Sequence, residues 1–311
     1  MWLPTRLRAC HWIDCSEGSD IGEIMFGLFY QILATFSFLV LSTTGLAIIF
    51  GVMNIINFAH ASFIMLGAVV TVYLVSAANL SVFLAIPLAA LIAAAVGAFL
   101  ELTLIRRLYN RKLDCLLATW AINIIIVQAV FLWLGTSQPG IDQPFGSFTV
   151  GDTAYNYYEL FLAGCAALVL VAVFLLFRFT RFGLNVRAAM QNRDMAEGLG
   201  TNTTAMYLKT FALGAGLAGL TGALYAPLMP VSPYFGDRFL WRAFTVLIVG
   251  GADPLIGPLM SSVALGGVYG GLTWLWDSVA GSIGILLITM IFIRVLPQGF
   301  TGLWDILRAR K

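Results

Sequence analysis

Asn54, Asn57, His60 and Ser62 lie close together between Gly51 and Gly67, in the otherwise apolar stretch GVMNIINFAHASFIMLG. Amide, imidazole and hydroxyl groups at this spacing offer hydrogen bonds to an uncharged or dipolar solute. Burying such a group without a partner costs ~2 kcal/mol or more. Each therefore either meets a solute or ties neighbouring helices together. A second polar line, Thr119, Asn123 and Gln128, runs through LLATWAINIIIVQ. Thr119 and Asn123 are four apart and share a helix face, and the same two readings apply to them.

Other chemistry finds little support. An intramembrane hydrolase needs a nucleophile and a base on facing helices, but His60 is the only histidine within an apolar segment and no GxSxG elbow occurs. No phosphate-binding loop is present, so any nucleotide hydrolysis belongs to another subunit. Gly214, Gly216 and Gly219 spell GxGxxG, yet inside an apolar helix rather than between a strand and a helix, which marks close helix packing instead of a dinucleotide site. Gly266, Gly267, Gly270 and Gly271 read the same way. Cys10, His11, Cys15, Cys115 and Cys165 lack the paired spacing of a zinc site. The expectation is no catalytic residue, no metal and no cofactor in this chain. A net charge of +2, with no basic cluster interleaved with aromatics, excludes nucleic acid as a partner.

The elements that must position these groups follow from hydropathy. Residues 24 to 100 form a run of 77 without Asp, Glu, Lys or Arg. As helix it would extend on the order of 115 Å, enough to cross ~30 Å of hydrocarbon three times. Hydrophobic residues make up 60% of the chain and charged residues 10%. Backbone groups in lipid must satisfy one another, and long unbroken apolar runs do so as helices. The fold class is all-α, a polytopic membrane protein of about 8–9 spans. Candidate segments lie near 25–50, 58–78, 82–104, 115–135, 159–177, 207–228, 239–252, 255–275 and 279–296. The piece from Phe239 to Ala252 is short and carries Arg242, and so reads as a half-span or a tilted helix against protein.

Lys and Arg fall in three groups: Arg106, Arg107, Arg111 and Lys112; Arg178, Arg181, Arg187, Arg193 and Lys209; and Arg294, Arg308, Arg310 and Lys311. Nine crossings put all three on one side, which is cytoplasmic by the positive-inside rule, with the N-terminus outside and the C-terminus inside. If 239–252 does not cross, the last group moves outside. The loop Gly135–Tyr158 faces outward. Gly250–Pro258 is a tight break on the cytoplasmic side, suited to a partner contact or a gate hinge. Residues 1–24 form an exposed arm without helical periodicity, with Met25 as an alternative start. The membrane domain is 25–304 and the cytoplasmic tail 305–311.

Arg178–Thr204 is too polar to enter lipid. Leu184, Ala188, Met195 and Leu199 recur at helical spacing on one face, Asn185, Asn192, Arg193 and Asp194 line another, and Gly200 with Asn202 ends the pattern. Such a helix either lies on the membrane, docks in a partner's groove, or is a solvated loop.

In VRAAMQNRDMAEGLGTN, in GLAIIFGVMNIINFAHASFIMLGA, in VGGADPLIGPL and in LPQGFTGLW, the chain resembles the LivH/LivM group of ABC importer permeases, over roughly residues 25–304. Ala61 stands where that group often has glycine. The resemblance implies an ABC importer permease fold and an ATPase-coupling helix at about 184–200, carried by Leu184, Arg187, Ala188, Gln191, Asn192, Met195, Ala196, Leu199 and Gly200. It also implies ATPase subunits holding ATP and Mg, a second permease, a solute-binding protein, and a place in the bacterial inner membrane. Branched-chain or hydrophobic amino acids, or urea and short amides, are the implied solutes, LLATW leaning to the latter. No ionised residue sits centrally in a strong span to meet a zwitterion. A passive urea or ammonium channel and an ion-coupled carrier are the rivals; a carrier usually needs intramembrane carboxylate relays, and a channel would work without ATP.

Overall fold

The computed structural model describes residues 19–302 except 110, 137–138, 152, 252, 255 and 297–298. Cys10, His11 and Cys15, the arm before residue 19 and the tail 305–311 lie outside the described residues. The order is α1 (Ser19–Met53), α2 (His60–Ser76), α3 (Val82–Thr103), a 3-10 turn (Ile105–Leu108), α4 (Lys112–Leu134), β1 (Ser147–Val150), β2 (Thr153–Asn156), α5 (Tyr157–Phe179), α6 (Arg181–Gln191), α7 (Arg193–Gly198), α8 (Thr203–Tyr225), α9 (Asp237–Gly250), α10 (Ile256–Leu275) and α11 (Ser278–Val295). All nine apolar segments are helical. Among the described residues, five helices are long and apolar enough to cross a membrane: those within Gly22–Met53, Val82–Thr103, Lys112–Leu134, Tyr157–Phe179 and Ser278–Gly302.

The bundle is centred on α8, which packs on α1, α2 and α3 through small residues. With no water to expel, helices in lipid associate by close van der Waals approach. A Cβ at Gly67 on α2 would fall on the Gly219 carbonyl of α8, with Gly219 Cα at 2.6 Å. One at Gly222 would meet the Ile64 carbonyl. Gly214 faces Ile49 and Gly216 faces Ala94, so GxGxxG is indeed packing. On α10 only half of the glycine reading holds. Gly266 and Gly270 lie against Phe36 and Ile32 of α1, whereas a methyl added at Gly267 or Gly271 would have nothing within 4 Å, because these two point away from α1.

These contacts also fix directions. α8 runs antiparallel to α1, with Gly214 beside Gly45, Thr221 Oγ1 donating to the Leu41 carbonyl at 2.8 Å, and Tyr225 against Phe38. α9 then turns back: Phe239 stacks on Phe38, and Ala243 and Leu247 cluster with Leu46 and Ala47. Its 14 residues span roughly 21 Å, short of a bilayer. It starts beside the middle of α1 and descends to the end where α1 finishes. The turn before it is buried, with Val231 and Phe235 in the core and Gly236 against the Ala61 carbonyl. Protein thus covers backbone that lipid would not tolerate. α10 climbs back along α1 from Gly257 beside Gly250, and Gly299, beyond α11, returns to Gly251. A half-length α9 therefore does not move Arg294 to the opposite side, contrary to the expectation from parity, because α8 and α9 enter and leave at one end.

Three further expectations change. The sequence puts the arm through residue 24, but helix begins at Ser19 and continues without a break into the first span. Immediately after this extension Phe26 and Tyr30 pack on Tyr155, with centroids 5.2 and 4.7 Å away. The loop between α4 and α5 contains a hairpin, β1 pairing antiparallel with β2 from Ser147↔Asn156 to Val150↔Thr153. Tyr30 OH donates to the Asn156 carbonyl at 2.8 Å and accepts from its N–H at 3.0 Å. The segment 184–200 is not one helix. Asn192 is extended (φ −157°, ψ 108°) and its side chain accepts from the Met195 N–H, capping α7 and ending α6. Asparagine competes with helix in this way through local hydrogen bonds.

Candidate functional site

The loop joining α1 to α2 positions the first polar group. Asn54 sits at φ +52°, left-handed backbone that asparagine tolerates, and its side chain is exposed. Asn57 is buried and its Oδ1 accepts from the Ala59 N–H at 3.0 Å. Ser62 Oγ donates to the Ala59 carbonyl at 2.8 Å. His60 is fully buried, with Nε2 2.9 Å from the Ser42 carbonyl oxygen of α1. Thr119 on α4 donates to the Leu116 carbonyl and accepts from the Phe58 N–H at 3.2 Å. His60 and Thr119 thus tie the α2 end of this junction to α1 and α4, while Asn57 and Ser62 shape its turn. Replacing His60 with Ala should cost about 2–4 kcal/mol from the lost hydrogen bond and the cavity left behind. Thermal unfolding in detergent would read that loss; a shift under ~0.5 kcal/mol would remove His60 from the pinning role.

The structure brings Asn123 and Gln128 together but leaves Thr119 outside their group. Both line a cavity of about 380 Å³ between α4 and the start of α9, with Phe58, Trp120, Asp237 and Trp241. Asn123 Oδ1 is buried without a hydrogen-bond partner among the described residues. Asp237 and Trp241 are not legible as site residues in sequence, since only the backward turn of α9 carries them to α4.

A second cavity, about 240 Å³, lies among α1, α5, α8, α9 and α10, and both Arg242 and Glu159 line it. Neither group sits centrally in a strong span: Glu159 is in the first turn of α5 and Arg242 on the short α9, and the two reach one cavity through packing that sequence spacing does not report. Arg242 lies 5.2 Å above the Phe38 ring and 4.9 Å above that of Tyr269. Its Nη2 donates to Tyr269 OH at 3.3 Å.

α6 and α7 lie at the end of the bundle where α1 and α9 finish. Gly183, Val186, Ala189 and Ala196 are buried against the bundle. Leu184, Met195 and Leu199 are 60%, 63% and 80% exposed, and Ala188 and Gln191 are exposed beside them. Arg187 donates to the Phe177 carbonyl, holding α6 to α5. A pocket of about 150 Å³ joins Arg187 and Met190 to Asp253 and Pro254, so the break after α9 adjoins α6. Gly200, at φ +88°, closes the segment.

From α7 a line of contacts leads inward. The Arg193 guanidinium lies 5.2 Å over the Tyr207 ring of α8, whose edge meets Tyr109 with centroids 5.1 Å apart. Tyr109 OH donates to Glu101, fully buried near the end of α3, and Arg106 Nε is 3.6 Å from the same carboxylate. Burial, and then this bond, push the Tyr109 phenol above its ordinary range. Thr203 OH and Arg193 donate to Glu197 and hold its carboxyl below the usual value. Glu101 is visible in sequence only as the residue that ends the uncharged run.

Residues 28–296 match the family model described as branched-chain amino acid transport system / permease component. The chain is 26% identical over 302 residues to a probable branched-chain amino acid transport permease protein LivH of Methanocaldococcus jannaschii, covering 91% of this chain and 94% of the relative. It is 27% identical over 238 residues to the high-affinity branched-chain amino acid transport system permease protein LivH of Escherichia coli K12, covering 71% and 77%. A nucleoside ABC transporter permease protein NupC of Lactococcus lactis is 34% identical over 147 residues, 45% of this chain and 44% of the relative. No solved structure matches.

Proposed function

The chain belongs to the LivH/LivM-type family of branched-chain amino acid transport permeases, and from that premise we propose how it works. It is a multi-pass transport subunit of an ABC importer and not an enzyme. Separate ATPase subunits, which hold ATP and Mg, seat on α6 and α7 at the cytoplasmic end. A second permease completes the pathway, and a binding protein delivers solute at the outer face. The observation carrying this reading is the exposed strip Leu184, Ala188, Met195 and Leu199, on a segment whose opposite side is buried against the bundle. Lipid does not explain the strip, because it is set among Asn185, Gln191 and Asp194; a groove in a soluble partner accepts such a pattern.

ATPase closure displaces α7, and the contacts through Arg193, Tyr207 and Tyr109 pass that displacement to α8 and α3, biasing a two-state bundle. Asn123 and Gln128, with Asn54 exposed at the loop, line the solute path; Asn57, His60, Ser62 and Thr119 hold its wall. The solutes are branched-chain or other hydrophobic amino acids. Urea and short amides are the second reading, favoured by the amide-lined cavity beside α4.

Purification through this subunit should bring down ATPases and a second permease, and leucine should stimulate ATP hydrolysis by the complex in vesicles. The chain reconstituted alone should pass no solute. Vigorous flux through it alone would establish the passive-channel alternative instead.

A further inference from the structure

Glu101 is fully buried in the last turn of α3, yet its two oxygens are answered unequally. Oε1 accepts from Tyr109 OH, while Oε2 is buried and has no hydrogen-bond partner among the described residues. Arg106 Nε lies 3.6 Å from Oε1 and is itself buried without a hydrogen-bond partner. A charged donor and a charged acceptor thus face each other and stop short of bonding. Charge-assisted N–H···O bonds close at ~2.8 Å, so a shift of about 0.8 Å would complete this one. Leaving both groups unanswered in the interior is costly, and the cost calls for a reason. Arg193 is not an alternative partner, because it is paired with Glu197 at 3.1 Å.

The two claimants on the carboxylate stand on different parts. Tyr109 meets the edge of Tyr207, over which Arg193 of α7 lies. Arg106 belongs to the 3-10 turn that leads from α3 towards α4. A movement of Tyr207 carries Tyr109 with it and changes which of the two Glu101 can reach. We propose that Glu101 is a positioning residue for transport: it holds Tyr109 in the conformation described here and exchanges to Arg106, completing the ion pair, in the other state of the bundle. The proposal rests on the importer reading above and supplies an element with two discrete arrangements, which that reading requires.

The test uses the assembled transporter in nanodiscs, with spin labels at Arg107→Cys on the turn and Lys209→Cys on α8, both exposed positions, in a complex otherwise free of cysteine. Two distance populations should appear, and ATP should move weight between them. Tyr109→Phe keeps the ring on Tyr207 and removes only the competing hydroxyl, so it should change the ratio of the populations by roughly tenfold to 150-fold. Glu101→Gln still accepts from Tyr109 but offers Arg106 no ion pair, so it should move the ratio the opposite way. Arg106→Gln should reproduce Glu101→Gln and add nothing further when combined with it. Its side chain is 37% exposed, so it supplies the sign if Glu101→Gln does not assemble. Solute moved per ATP hydrolysed should fall in each single variant. A merely structural Glu101 would lower the thermal midpoint and leave the ratio where it was. An unchanged ratio in Tyr109→Phe, or changes of the same sign in Tyr109→Phe and the charge-removing variants, would overturn the assignment. Where ATP still moves the unmodified complex, such a result defeats the Glu101 exchange alone. An unmodified complex whose populations ignore ATP defeats the importer reading, and the exchange with it.

Discussion

Met195→Glu in the assembled transporter should lower ATP-dependent uptake by about 100-fold or more while the chain still inserts. Met195 is 63% exposed in the free chain, so the substitution leaves the folded bundle almost untouched. Its cost arises when the ATPase covers that side chain. A carboxylate buried without a partner loses several kcal/mol, and every 1.4 kcal/mol is tenfold in occupancy. Gly200→Pro should give the same phenotype by another route. Proline holds φ near −65°, whereas Gly200 sits at +88° and its N–H donates to the Glu197 carbonyl at 2.9 Å. The turn that sets α7 against α8 would be lost. Copurification of the ATPase and uptake are the two measurements; normal uptake by either variant would show that α7 is not where force enters.

Gly67→Val should abolish the folded bundle, at a cost of ~3 kcal/mol or more. The added atoms meet the Gly219 backbone, which cannot turn aside as a side chain does, so α2 and α8 must separate along their shared face. Gly267→Ala is the matched control, with open space around its methyl and an expected change within ±0.5 kcal/mol. Monodispersity and the thermal midpoint in detergent distinguish them. Comparable losses in both would mean that the contact with Gly219 is not what makes glycine necessary at residue 67, since alanine and valine are both better helix formers than glycine.

Much of this architecture is legible in sequence because lipid enforces it. Nine apolar stretches became nine helices, and the described basic residues from Arg106, Arg178 and Arg294 gather at one end. What escapes reading is local or long-range. Periodicity joins Leu184 to Leu199 in one helix, and it cannot register that the Asn192 side chain takes the Met195 N–H and breaks it. The hairpin at 147–156 is two short strands in a polar loop, although Phe148, Val150 and Tyr155 around Gly151 carry a strand signal. Among the polar candidates, sequence finds Asn123 and Gln128 but pairs the first with Thr119, which faces the Phe58 N–H. Arg242 stands out in sequence only as a blemish in a short span. Its neighbours Glu159 and Tyr269 come to it through the return of α9 and α10 along α1, and no spacing rule reports that.

The shortness of α9 also constrains biosynthesis. A 14-residue helix bearing Asp237, Arg238 and Arg242 has little reason to leave the translocon for lipid by itself. Much of its cover comes from Phe38, Leu46 and Ala47, residues synthesised some two hundred positions earlier, beside Tyr225 of α8 and Tyr269 of α10. The first helix must therefore stay near the exit site, or be met again there, until the ribosome has passed residue 250. Maturation of the second half of this protein is thus a templated event, with α1 as the template.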